Sequence, residues 1–208
     1  MKEKQLPIQL ETIKLSQVAI FKHNENGLPT ILLAQRINPN KIYYSWYGIP
    51  GGKQERPYET FEQIAERETL EETGILIYPK KLIKIRYSYY PPKDTNRYNT
   101  INPTKIKTYI HPAYNQEPLQ MEPNNHRIWN YYTKAEILDH IITIPELQLQ
   151  LNTIFYTIEN YQKILEIRYK QEEELDSENK EQFEKMKILE FTEKEATDFV
   201  NKSFESIQ

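Results

Sequence analysis

Two apolar, β-rich runs stand near the start of the chain, at 15–22 (LSQVAIFK) and 30–36 (TILLAQR). The intervening HNENGLP carries the Asn, Gly and Pro of a turn, so the two runs predict a β-hairpin. The aromatic stretch IYYSWYGIP then leads into a segment of different period. There Phe61, Ile64 and Ala65 fall on one side of a helix. Thr60 with Gln63 three residues later forms a capping box, and Gly74 is a terminator, so the helix spans 61–73. Strands are expected from the β-branched and aromatic runs at 75–78 (ILIY), 81–90, 105–114 and 126–133. The Pro- and Asn-rich stretch 91–103 reads as an exposed loop. Thr133 with Glu136 caps a short helix ending at His140. From Pro145 a helical stripe of Leu147, Leu151, Ile154, Phe155, Ile158, Tyr161 and Leu165 predicts one long helix that fades into YKQEEELDSENKEQ. Near the end, Thr192 and Glu195 form a further capping box, with Ala196, Phe199, Val200, Phe204 and Ile207 on one face of an amphipathic helix.

Composition narrows the classes. With 208 residues the chain has room for one globular unit and an appendage. It contains no cysteine, so any metal site must use oxygen or histidine ligands. Residues 166–208 hold thirteen acids and seven bases, a net of −6 against −3 for the whole chain, which leaves +3 for the remainder. A mildly basic body suits an anionic substrate, while the overall balance gives no broad basic field for nucleic acid. No secretory signal and no run of eighteen apolar residues is seen, so the expected setting is cytoplasmic, without a membrane span.

The helix at 61–73 raises a problem of charge. Glu68, Glu71 and Glu72 continue the side begun by Phe61, Ile64 and Ala65, so carboxylates stand where the stripe predicts core. A solvated charged face is the ordinary explanation of such a run. Against it, like charges at i,i+3 and i,i+4 repel, and a helix C-terminus is the wrong end for negative charge. In addition, four of the five glycines (Gly48, Gly51, Gly52, Gly74) bracket this loop and helix. A hard divalent cation resolves the crowding, with carboxylate ligands and a backbone carbonyl brought close by glycine.

Gly52, Glu59, Arg67, Glu68, Glu71, Glu72, Gly74 and Ile75 together resemble the Nudix box: Gly, five residues, Glu, seven residues, then Arg-Glu-apolar-any-Glu-Glu-any-Gly-apolar. Two departures stand out. Six residues rather than five separate Gly52 from Glu59, and Thr69 takes an aliphatic position. The resemblance, covering about residues 15–158, implies an α/β fold, an α/β/α sandwich with a mixed sheet. A domain at 1–158 would be followed by a charged, mostly helical C-terminal extension at 159–208. The resemblance also implies hydrolysis of a nucleoside diphosphate linked to another group, with Mg²⁺ as cofactor or Mn²⁺ as an alternative. Glu68 and Glu72 would be the main metal ligands, Glu71 would assist, and the Gly52 carbonyl would complete the set. Arg67 would hold the acidic cluster through Glu59, and Glu68, ahead of Glu72, would act as general base.

The segment EPLQMEPNNHRIWNYYTKAEI is similar to its counterpart in Nudix enzymes that hydrolyse nucleoside triphosphates, with Glu122 as an extra carboxylate and Trp129 in the fold or base pocket. Trp46 and Tyr47, with Tyr43 and Tyr44, offer ring faces for a nucleobase or plain packing. His23, His111, His126 and His140 show no metal-ligand spacing and receive no catalytic role; all but His126 are expected to be structural or surface histidines. The expected reaction converts a nucleoside triphosphate to monophosphate and pyrophosphate. The alternatives are a cap or dinucleotide-polyphosphate hydrolase, which would use Arg97, Lys105 and Lys107 toward capped RNA, and a non-catalytic Nudix module in a larger complex. The C-terminal extension would then contact a protein partner or a second copy of the chain.

Overall fold

A computed structural model describes residues 11–91 and 102–174. The amphipathic helix expected around Thr192 and the basic residue Arg97 lie outside that range. The hairpin forms as expected: β1 (Ile13–His23) and β2 (Pro29–Gln35) pair antiparallel, with Phe21 opposite Ile31. Two short strands follow, β3 (Tyr47–Gly48) on β2 and β4 (Gly51–Lys53) on β1. Helix α1 (Phe61–Thr73) precedes β5 (Ile83–Tyr90) and β6 (Thr104–Pro112), and β6 runs parallel to β1 from Ile13↔Thr104 to Phe21↔Pro112. Strand β7 (Asn130–Thr133) returns to pair with β2. The result is a mixed seven-stranded sheet with the path β3-β2-β1-β6-β5, β4 joining β1 and β7 joining β2.

Period-two alternation divides the apolar residues between the two sheet faces. Val18, Ile20, Leu32 and Tyr109 turn toward α1 and pack with Ala65, Ile75, Ile77 and Trp129. Ala19, Phe21, Ile31, Leu33 and Ile110 face the opposite way, onto helices from the C-terminal part of the chain. These are α2 (Lys134–His140), α3 (Pro145–Gln148), α4 (Leu151–Glu159) and α5 (Tyr161–Glu174). Helices on both faces of a mixed sheet make the expected α/β/α sandwich. Among the described residues no helix is long and apolar enough to cross a membrane.

Three elements differ from expectation. The single long helix after Pro145 is three helices. Its apolar stripe is buried as anticipated, but the chain turns at Gln150 and Asn160. At the second turn the Asn160 backbone N–H and side-chain amide both donate to the Tyr156 carbonyl, so a helix end is satisfied locally. The run 75–78 is not a strand. Its polar groups are met by side chains: Leu76 exchanges hydrogen bonds of 2.8 and 2.9 Å with the Gln116 amide, and the Tyr78 N–H donates to His111 Nε2 at 2.9 Å. The strand expected over 126–133 is regular only at its end, preceded by a lone bridge between His126 and Arg36. Beyond residue 158, Tyr161 and Leu165 still belong to the core, and the Tyr161 hydroxyl donates to the Lys81 carbonyl at 2.6 Å.

Two predictions follow from buried polar atoms. Because His111 Nε2 accepts a hydrogen bond, it carries no proton, and burial, aided by the Lys81 charge, holds this imidazole down to about 4. An unfolded chain would take up the proton near pH 6.5. The stabilisation is therefore full above that pH and is lost as pH falls from 6.5 toward 4, by about 3 kcal/mol at most. Urea unfolding at a series of pH values should show this slope, and His111→Leu should make it shallower, His126 supplying the remainder, while lowering stability at pH 7. Separately, the Thr69 hydroxyl is buried in α1 without a hydrogen-bond partner. Thr69→Val should raise the unfolding free energy by about 1 kcal/mol, measured by the same titration.

Candidate active site

Local signals place the acidic helix. Thr60 Oγ1 accepts from the Gln63 N–H and Gln63 Oε1 accepts from the Thr60 N–H, closing the capping box. At the other end Gly74 adopts a left-handed conformation with φ 71° and donates to the Leu70 carbonyl. Ile64 and Ala65 are fully buried and fix the rotation of α1. Steps of four residues from Ile64 then point Glu68 and Glu72 at β4. A Cβ at Gly52 would lie 2.1 Å from the Glu68 carboxyl carbon, so any larger residue there would push the Glu68 carboxylate aside. The preceding Gly51 N–H donates to Glu72 Oε2 at 2.9 Å.

Arg67 binds the cluster together. Its Nε donates to Glu59 Oε1 at 2.8 Å, and Nη1 donates to Glu68 Oε1 at 2.9 Å and to Glu71 Oε2 at 3.0 Å. Nη2 donates to the Lys53 carbonyl at 2.8 Å, and Glu55 stands 3.7 Å from Nη1. The hydrogen bond from Arg67, joined by the N–H groups of Glu55 and Arg56, outweighs burial and pulls Glu59 down to about 2. Burial instead pushes Glu68 up, with Arg67 opposing. Glu72 is raised furthest, to about 8, by burial and then by the charges of Glu68 and Glu122, against the Gly51 N–H.

Glu72 also meets residues from outside the helix. Glu72, Glu122 and His126 each present a donor atom, and the three atoms lie within 4.8 Å of one another. Asn125 Nδ2 donates to Glu122 Oε2 at 3.0 Å and orients it. Trp129 is buried, and its Nε1 donates to the Glu72 main-chain carbonyl at 3.0 Å, which ties the last turn of α1 to the segment leading into β7. His126 packs 5.2 Å from the Trp129 ring, and burial, followed by the Arg36 charge, lowers its imidazole to about 4. The structure thus joins Glu72 and Glu122, and gathers Glu68 and Glu71 around Arg67. It does not bring Trp46 and Tyr47 to this cluster. Both pack against the core on the opposite sheet face, Trp46 beside Tyr43 and Tyr47 edge-on to Tyr132.

Sequence reasoning set His126 apart from the other histidines but gave it no role. The available signal was its i,i+4 spacing from Glu122 in the turn before Trp129, where the N–H groups of Asn125 and His126 both donate to the Glu122 carbonyl. A cluster of buried and half-buried carboxylates with an imidazole, beside a backbone stripped of Cβ at Gly52, fits a divalent metal.

Comparison with known proteins gives a consistent picture. The NUDIX domain profile matches residues 14–150, well over half of the chain. The NUDIX domain of Shewanella oneidensis NrtR, solved with ADP ribose, is similar with a TM-score of 0.54 and 18% identity, over 70% of this chain and 89% of that one. A C. elegans Ap4A hydrolase is similar with a TM-score of 0.52 and 19% identity, over 71% and 98% of the two chains. A MutT/nudix family protein from Enterococcus faecalis is similar with a TM-score of 0.50 and 18% identity over 62% of this chain. That match spans about half, 47%, of the longer protein. At these identities the neighbours share the fold. Together with the matched domain, the braced glutamate helix identifies the chain as a member of the Nudix family, the pyrophosphohydrolases that act on phosphoanhydride bonds.

Proposed function

We propose that the protein hydrolyses a nucleoside diphosphate linked to a further group, and that the substrate is a nucleoside triphosphate cleaved to monophosphate and pyrophosphate. The observation that carries this reading is the junction of α1 with β4, where Glu68 lies against Gly52 and Glu72 against the Gly51 N–H. Mg²⁺ is the proposed ion, with Mn²⁺ as an alternative. Glu68, Glu72 and the Gly52 carbonyl would hold it, and Glu71 would assist. When bound, such an ion neutralises phosphate oxygens and acidifies water. Arg67 keeps the glutamates in register, and Glu68 takes the proton of the water that attacks phosphorus as the phosphoanhydride bond breaks. Glu122, beside Glu72, would add a further carboxylate near the metal.

Cap or dinucleotide-polyphosphate hydrolysis would draw on a basic groove through Lys105 and Lys107. Lys107, however, lies 4.6 Å over the Phe61 ring and 3.6 Å from Glu62 Oε1. Its engagement with α1 favours a single nucleotide. The proposed hydrolase unit is residues 1–158, acting in the cytoplasm. Residues 159–208 form an extension whose first turns close the core and whose remainder is offered to a protein partner or a second copy.

Glu68→Gln and Glu72→Gln should each lower kcat by about 100-fold or more with an unchanged circular dichroism spectrum, as read by mass identification of the products formed from a panel of nucleoside triphosphates, dinucleoside polyphosphates and capped RNA. Wild-type rates in both variants would refute the reading, and a product spectrum confined to capped RNA would replace the triphosphate by the cap. Gly52→Ala places a methyl group on the Glu68 carboxylate. It should cost roughly 10²-fold in kcat through a displacement of about 1 Å, while thermal unfolding stays close to that of the wild type.

A further inference from the structure

We propose that His126 supplies an imidazole nitrogen to a divalent cation held with Glu72 and Glu122, a mixed nitrogen–oxygen position beside the all-oxygen one, with Glu72 common to both. This inference rests on reading the acidic helix as a divalent-cation site. It adds a ligand and an ion preference that the helix alone does not supply.

The distances carry the argument. His126 Nε2 stands 3.9 Å from Glu72 Oε1 and Nδ1 stands 3.8 Å from Glu122 Oε2. Both separations are too long for a hydrogen bond. Donors at about 2.1–2.2 Å from one ion lie roughly 3 Å apart when adjacent and about 4.3 Å apart when opposite. The three donor atoms, all within 4.8 Å of one another, sit close to that span. A small inward movement of side chains completes the site.

The imidazole has no competing use. Nδ1 is buried without a partner, and among the described residues neither ring nitrogen makes a hydrogen bond, although the side chain is only 11% exposed. Leaving such a buried group unpaired is destabilising. His111, the other deeply buried histidine, differs because its Nε2 takes the Tyr78 N–H. A core-filling role therefore accounts for His111 better than for His126.

The ring is also held in place before any ion arrives. Arg127 N–H donates to the Gln35 carbonyl at 2.9 Å, and His126 bridges to Arg36, so the backbone is fastened to the edge of β2. Trp129 supports the ring from one side while its Nε1 holds the Glu72 main chain. Asn125 orients the Glu122 carboxylate, the outer-shell arrangement that metal ligands ordinarily have. An imidazole donor favours Mn²⁺, Co²⁺ or Zn²⁺ over Mg²⁺, which prefers oxygen alone.

The test is pulsed EPR of Mn²⁺ added to the full-length protein without nucleotide. The expected spectrum shows ¹⁴N coupling that converts to ¹⁵N coupling when histidine alone is isotopically labelled, and that disappears in His126→Gln. Titration calorimetry should show the Mn²⁺ Kd at this position rising roughly tenfold or more in that variant, with the Mg²⁺ Kd changing less than about threefold. Labelling the wild-type protein keeps the test valid even if the variant folds poorly. Mn²⁺ bound without nitrogen coupling would overturn His126 ligation and leave the acidic-helix reading standing. Coupling that survives in His126→Gln would overturn it in favour of another histidine. Absence of Mn²⁺ and Mg²⁺ binding altogether would overturn both readings.

Discussion

The Arg67 guanidinium makes the acidic helix possible. It is planar and permanently charged, and its N–H groups reach Glu59, Glu68, Glu71 and the Lys53 carbonyl at once, with the side chain only 9% exposed. Without that fork, three carboxylates on adjacent turns near a helix C-terminus would repel one another and oppose the helix dipole. With it, the helix is joined to the loop before it and to β4. Glu59 anchors the loop end of this arrangement, accepting from Arg67 and from the N–H groups of Glu55 and Arg56.

The clamp stops short of Glu72. That residue is 8% exposed, receives one N–H from Gly51 and, among the described residues, has no basic partner at salt-bridge distance except the His126 ring, which burial keeps neutral. Arg67 therefore compensates Glu59, Glu68 and Glu71, while Glu72, nearly as buried as Glu59, is left with the Gly51 N–H and a neutral ring beside it. This asymmetry gives the site its direction. Trp129 belongs to the same device: its indole fills the core on the α1 face, and its N–H fixes the turn from which Glu72 projects. One aromatic residue thus couples packing of the sandwich to placement of a carboxylate. A Phe there would keep most of the packing and lose the tie.

What could be read from the sequence was whatever depends on neighbours in the chain. The capping boxes at Thr60 and Thr133, the Gly74 terminator and the β1–β2 hairpin all rest on contacts within a few residues, and they appear as expected. The i,i+4 placement of Glu68 and Glu72 follows from helix geometry alone. The misses have a different origin. Residues 75–78 have a strand's composition, but their hydrogen bonds go to Gln116 and His111, some forty residues on, and no local rule anticipates a side chain substituting for a strand. The breaks at Gln150 and Asn160 leave the apolar period intact, so periodicity could not reveal them. Trp46 and Tyr47 had the chemistry to stack a base, yet which sheet face they occupy is settled by β3 pairing with β2 and by Tyr47 bonding to Ile142 and Ile144. His126 was passed over because its partners, Glu72 and Trp129, come together only in the folded chain.

The departure in the loop before α1 shows which parts of the constellation are free to vary. Six residues separate Gly52 from Glu59, and just before Glu59 the chain bends at Tyr58, which is 94% exposed with φ 66°. A bulky residue in that left-handed conformation is strained and gains no burial in return. The strain is tolerated because the two ends of the loop are fastened independently. Gly51 and Gly52 are paired to Gln17 and Ser16 of β1, and Glu59 is fastened to Arg67. The pairing with β1 holds Gly52, and α1 with Arg67 holds Glu68, without contributions from the exposed bend between them. The spacing that matters is the one through space from β1 to the helix, which the sheet sets, and a count of residues along the loop is a weak measure of it.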